Sequence, residues 1–369
     1  MIGVLSDLVQ AGVPFWYEGV SALDQYYKVM ARPCFYVLVE GSLIDLAKIF
    51  PDLQYPGREQ IDAVLESRSG PVIYFRCIDS YTLLQHSSNP LFSFLYNPIE
   101  ERYVDLFHTY GMLRKKSIES DELFNTTGAE AVVLLARYGF QLPPDFCRIF
   151  QDREERIQDI AAQRDLLTLV LTGNYTAEGL HFLWESGFIK RHWPELAAMG
   201  DVSHSKEYHP EGDVWAHTTE TFSYRKDPDL AVSLALLLHD IGKPHSLTQE
   251  GRRFDKHAEI GVEIASRFLH RLGFEESLIS QVLFLVRNHM MPGALKTLPV
   301  YRVEKVLESE LFPQLLEVYR CDLSSTFQGP GGYYEACKIY RSFLKNKKNP
   351  FRTSEGKKIQ RIREMPVRF

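Results

Sequence analysis

Two kinds of apolar pattern divide the chain. Phe35 to Val39 and Val72 to Phe75 are β-branched and aromatic runs of strand length, whereas Leu43 to Phe50 carries a helical period that stops at Pro51. Leu91 to Tyr96, the turn Asn97-Pro98-Ile99-Glu100-Glu101, and Tyr103 to Phe107 predict a hairpin built on Asn-Pro. Residues 1–118 are therefore expected to form a small mixed sheet with helices. From about Ser120 the pattern turns helical. Ala129 to Tyr138 stops at Gly139, an expected left-handed C-terminal cap; Arg164 to Thr172 stops at Gly173-Asn174, and Ala177 to Ser186 stops at Gly187. A polar connection beyond Pro194, holding His204 and His209, leads into a last helical region.

That region, Gly212 to Asp322, carries the candidate chemistry. It opens with Asp213-Val-Trp-Ala-His217-Thr and continues through Leu236-Leu-Leu-His239-Asp240-Ile-Gly-Lys243. It then passes Lys256-His257-Ala-Glu and Arg287-Asn-His289-Met, and ends at Arg320-Cys-Asp322. Each of the six donors His217, His239, Asp240, His257, His289 and Asp322 lies beside an apolar run that reads as a buried helix. Unshared, that many imidazoles and carboxylates in a core would cost several kcal/mol in desolvation, and joint metal coordination removes most of the cost.

Imidazole and carboxylate together suit manganese, iron, cobalt, nickel or zinc better than an all-oxygen magnesium or calcium cage. One or two divalent ions are expected. With two, Asp240 would bridge them, His217, His239 and Asp322 would complete one, and His257 and His289 would hold the other. Two carboxylates for two dications leave positive charge over, which favours a deprotonated water and an anionic substrate. Lys243 is expected one helical turn from His239, within reach of a phosphate oxygen, so Asp240 and Lys243 are the expected catalytic pair. His245 is a weaker candidate for proton transfer.

Composition places the chain among ordinary globular proteins: 45% hydrophobic, 24% charged, formal net charge -6. A wholly basic surface is excluded; a local nucleotide or RNA site is not. Five cysteines follow no CxxC spacing and suggest reduced thiols in a cytoplasmic protein. No apolar run approaches the roughly 20 residues of a membrane span, so no membrane partner is expected. The segment from Lys345 to Arg368 is basic, expected as a solvated terminus or as a contact to a phosphate backbone.

Trp215-Ala-His217-Thr, His239-Asp240-Ile-Gly-Lys-Pro, Arg253-Phe-Asp-Lys-His257, Val286-Arg-Asn-His289 and Asp322 resemble the HD superfamily of metal-dependent phosphohydrolases. They are most similar to the HD domain of class II CCA-adding enzymes, the tRNA nucleotidyltransferase and poly(A) polymerase family. Leu166 to Phe188 and Trp193 to Leu196 look like that family's neck helices. The resemblance implies an α+β chain: a nucleotidyltransferase-like head over 1–118, a helical neck over 119–200, an all-α HD domain over 201–335 and a basic tail over 336–369.

The head departs from the family. Where the family has a Gly-Gly-x-x-Arg-Asp turn this chain has Tyr17-Glu18-Gly19-Val20-Ser21-Ala22-Leu23, and its Asp-x-Asp position falls on Arg32 to Val37, without a carboxylate. In the arginine-rich helix, Phe124 to Tyr138, only Arg137 is basic. Phosphoryl transfer to a primer needs those metals and cations. The expectation is a phosphohydrolase acting on a nucleotide or RNA-end phosphoester, with an inactive head kept as a platform, a homodimer contact or a surface for tRNA-like RNA. A non-catalytic RNA-binding protein and an active nucleotidyltransferase stay open as alternatives.

Overall fold

The computed structural model describes residues 3–58, 60–66, 71–80, 93–118, 128–144, 146–152, 157, 159–202, 212–246, 256–326, 329–349 and 352–357. Leu91, Ser120, Phe124, Thr127, His204, His209, the Arg253-Phe-Asp run and the basic residues beyond Lys357 lie outside them. The chain divides into two compact units, Met1–Ile189 with Pro228–Leu230, and Lys190–Asp227 with Ala231–Phe369.

The first unit begins with a six-stranded sheet in the order β3-β4-β2-β1-β5-β6. Its strands are β1 (Phe15–Glu18), β2 (Cys34–Glu40), β3 (Ala63–Leu65), β4 (Val72–Ile78), β5 (Phe94–Asn97) and β6 (Arg102–Asp105). β2 and β4 run parallel, with Phe35 opposite Ile73, and the other pairs are antiparallel. Near-continuous burial of β1 and β2 fits central strands covered on both faces. Helix α1 (Val20–Tyr26) follows β1 through Gly19, whose φ of 53° suits a residue without Cβ. Helix α2 (Leu43–Ile49) starts at Ser42, whose hydroxyl accepts from Asp45 N at 3.2 Å. The expected hairpin joins β5 to β6: Asn97 Oδ1 accepts from Ile99 N (2.9 Å) and Glu100 N (3.0 Å), an Asx turn.

The same unit continues into α3 (Gly128–Val133), prolonged by a wider turn over Leu134–Tyr138, then α4 (Ile160–Leu171) and α5 (Thr176–Glu185). Gly139 and Gly187 do adopt left-handed φ, 76° and 74°. Gly173 does not. It is required for another reason: a Cβ there would lie 2.2 Å from Ala136 O, so the loss of a side chain lets two backbones touch.

Arg137, the one basic residue of the run matching the family's arginine-rich helix, turns inward. It is fully buried, with Nε 2.6 Å from Asp24 Oδ1, Nη2 2.7 Å from Asp24 Oδ2 and Nη1 donating to Thr172 Oγ1 at 2.8 Å. Tyr138 Oη also donates to Asp24, at 2.8 Å. One bidentate pair thus locks α1 to the helical half of its unit.

In the second unit α6 (Val214–Glu220), α7 (Leu230–Leu238), α8 (His257–Arg271), α9 (Glu276–Asn288), α10 (Phe312–Ser324) and α11 (Gly331–Lys347) are the main elements. α7 is buried from Ala231 to Leu238, as expected for a helix apolar all round. Trp193, fully buried, packs edge-on to Phe268 of α8, and Glu195 pairs with Arg271 at 2.8 Å. α11 runs across position 336, with Ala336 and Phe343 buried, so the basic segment begins inside a packed helix. Among the described residues no helix is long and apolar enough to cross a membrane.

Replacing Arg137 with leucine should strand the Asp24 carboxylate and cost about 3–5 kcal/mol, read as a lowered urea midpoint. A midpoint equal to the parent's would show that the pair contributes nothing.

Candidate metal centre

The candidate donors arise from where helices begin and end. Asp213 caps α6 by accepting from Ala216 N at 2.7 Å, which sets His217 one turn in, on the buried face. α7 stops at Leu238, so His239 and Asp240 occupy the turn that follows. His257 opens α8, His289 caps the C-terminus of α9 and Asp322 lies in the last turn of α10. Gly242 and Gly261 bring the turn after α7 against the start of α8: a Cβ on Gly242 would meet His257 O at 2.0 Å and Gly261 N at 2.5 Å.

The structure brings all six expected donors together around Asp240. Its Oδ2 lies 3.2 Å from His239 Nε2 and 3.8 Å from His217 Nε2; its Oδ1 lies 3.6 Å from His257 Nε2 and 4.0 Å from His289 Nε2. Asp322 Oδ1 joins the first side, 3.1 Å from His217 Nε2 and 3.8 Å from His239 Nε2. His217, His239 and Asp240 form one group able to hold a cation, and Asp240, His257 and His289 a second. Among the described residues these are the two such groups.

Ring orientation is fixed from behind. His239 Nδ1 is 2.8 Å from Leu236 O and His289 Nδ1 is 2.8 Å from Val286 O. A carbonyl only accepts, so Nδ1 carries the proton and each Nε2 keeps its lone pair for the centre. Behind His217 stands Ser325, whose Oγ donates to Asp322 O at 2.7 Å and lies 3.2 Å from Nδ1, while Nε2 faces Asp322 Oδ1 at 3.1 Å. None of these three partners was predicted from the sequence. The carbonyls follow from helix geometry, and a serine three residues after an aspartate carries no signal by itself.

Two features fit a cation. His239 Nε2 is buried and has no hydrogen-bond partner. His257 Nε2 faces His289 Nε2 at 3.2 Å, and the latter is a lone pair. Burial alone would raise the Asp240 carboxyl, but His239, Lys243 and His217 hold it well below the usual carboxylate range. Desolvation would also raise the part-buried Asp322, but its bond to His217 and the charge of His239 hold it low. Burial, then the neighbouring His239, pushes His289 down to about 4, leaving it neutral and able to ligate near pH 7.

Lys243 sits differently from its expected place. The helix has already ended, and a 3-10 turn over Lys243–His245 brings its Nζ onto Asp240 Oδ2 at 2.5 Å. His245 is exposed at the end of that turn. Arg320 pairs with Glu317, its Nε donating to Oε2 at 2.8 Å, and leaves Asp322 alone at the centre.

The family profile for the HD domain matches residues 203–320, which include five of the six donors and stop two residues short of Asp322. The chain carries an HD domain. Beyond that domain, the chain is 28% identical over 253 residues to a CC-adding tRNA nucleotidyltransferase of Thermus thermophilus, covering 63% of this chain and 56% of that protein. It is 25% identical over 204 residues to a multifunctional CCA protein of Acinetobacter baumannii, covering 50% and 48%. A multifunctional CCA protein of Halorhodospira halophila matches at 31% over 158 residues, covering 42% and 38%. The chain thus spans about half the length of the curated relatives it matches. Its fold is that of the Bacillus stearothermophilus CCA-adding enzyme solved with CTP, with a TM-score of 0.52 at 14% identity over 93% of this chain and 81% of that one. The HD domain and the α+β architecture agree with the family resemblance of the sequence.

Ser325→Ala should weaken divalent-metal binding to the HD domain about tenfold, measured by chelator competition. Metal-free protein should also lose stability as pH falls from 6.5 toward 4. Over that window His289 protonates in the unfolded chain and stays neutral in the folded one, so the unfolded state binds more protons. Unfolding midpoints that stay level across this range would contradict the assignment.

Proposed function

We propose that the HD domain is a metal-dependent phosphohydrolase acting on a nucleotide or RNA-end phosphoester. The observation that carries this reading is the double triad about Asp240, with every histidine Nε2 directed at one buried centre. His217, His239 and Asp322 would hold one divalent transition-metal ion, His257 and His289 the other, and Asp240 both. Bound ions supply the charge that lowers the pKa of water and offsets phosphate oxygens. The chain's own part is to present imidazole Nε2 atoms, exclude water and hold Asp240 ionised. Lys243, beside Asp240, would supply the ammonium that meets a substrate phosphate.

In this reading residues 1–118 serve as a platform, and a cytoplasmic setting suits the five free cysteines. β2 offers no carboxylate from Cys34 to Val39, and the nearby acids are engaged internally, Asp24 with Arg137 and Glu18 with Arg76. A second reading, nucleotide addition to tRNA-like RNA, is favoured by the relatives, which carry CC-adding and CCA names. Labelled CTP or ATP incorporated into truncated tRNA would establish it.

His239→Ala and Asp240→Ala should each lower metal-dependent hydrolysis of bis(p-nitrophenyl) phosphate at least a hundredfold, with near-native circular dichroism. Parent-like rates in both, or a purified protein free of transition metal by elemental analysis, would defeat the hydrolase reading.

A further inference from the structure

We propose that helix α11 is an RNA-binding surface that tracks a phosphate backbone. This rests on the RNA-end reading above and selects RNA over a free nucleotide as the partner.

The helix has two unlike faces. Ala336 and Phe343 are buried, and Tyr340 packs on Phe312 with centroids 4.5 Å apart. At 100° per residue, Tyr334, Lys338, Arg341, Lys345 and Lys348 fall within a sector of about 80° on the opposite side. All five are exposed, Tyr334 at 65%. Among the described residues none of the four cations makes an ion pair, whereas Lys347, off the stripe, pairs with Glu308 at 2.7 Å. Glu335 is the single acidic residue of α11.

Spacing and charge favour a polyanion. From Lys338 to Lys348 the stripe runs about 15 Å along the axis, long enough for two to three phosphates of an extended strand. Residues 338–368 contain eleven Lys and Arg against two Glu, a net +9, in a chain of net -6. The other residues therefore sum to -15, so the positive charge is segregated. An exposed tyrosine at one end of a basic stripe offers a face for a base to stack on. An anionic membrane would also attract the lysines, but the stripe has one aromatic and no apolar flank beyond Leu344, 38% exposed.

The test uses the full chain in EDTA, so that binding is read apart from hydrolysis, with an RNA hairpin bearing a single-stranded 3′ end. The quadruple variant Lys338→Gln, Arg341→Gln, Lys345→Gln and Lys348→Gln should bind at least tenfold more weakly at 0.1 M salt. Its slope of log affinity against log salt should shrink by about 2, two to three phosphates at about 0.7 each. Tyr334→Ala should weaken binding about fivefold and leave that slope unchanged. Hydrolysis of bis(p-nitrophenyl) phosphate and circular dichroism should match the parent in both. Unchanged RNA affinity in the quadruple variant overturns the proposal, as does binding to phosphatidylserine vesicles without binding to RNA. Stripe-dependent RNA binding in a chain with no hydrolysis would leave this surface standing and remove the hydrolase reading.

Discussion

A fully buried carboxylate is tolerated only where positive charge or donors surround it, and Asp240 sets that condition for the whole second unit. Four imidazoles and an ammonium converge on its two oxygens from three helices and two turns. The apolar helix α7 exists to place that turn in the core, and the termini of α8 and α9 are positioned so that their histidines meet it.

The Lys243 ammonium neutralises Asp240 from the turn beside it. In the proposed reaction the same side chain would also meet a substrate phosphate. Asp322, beside His217, supplies a second carboxylate from a separate helix, so the first triad gains a fourth donor late in the chain.

Much of this was legible in the sequence because the donors sit beside apolar runs, and the burial of such runs forces neighbouring polar residues to face one another. The hairpin at Asn97, the cap at Ser42 and the strand runs were legible for equally local reasons. What escaped depends on long-range placement. Arg137 read only as the last basic residue of an arginine-rich helix, and its partner Asp24 lies more than a hundred residues earlier in the unit. Gly173 looked like a helix cap, but its constraint comes from Ala136 O, which no spacing rule reveals. Ser325 and the two carbonyls behind the histidines are invisible until the helices are oriented.

The contact of Gly242 with the start of α8 also bears on how the centre is mapped by mutation. A methyl group there would have to enter space held by His257 O and Gly261 N, displacing one triad relative to the other while leaving every ligand chemically intact. A substitution screen scored by turnover alone would rank Gly242 beside His239 and Asp240 and count it as part of the chemistry. Its contribution is spatial: it sets the distance at which two half-sites share one carboxylate.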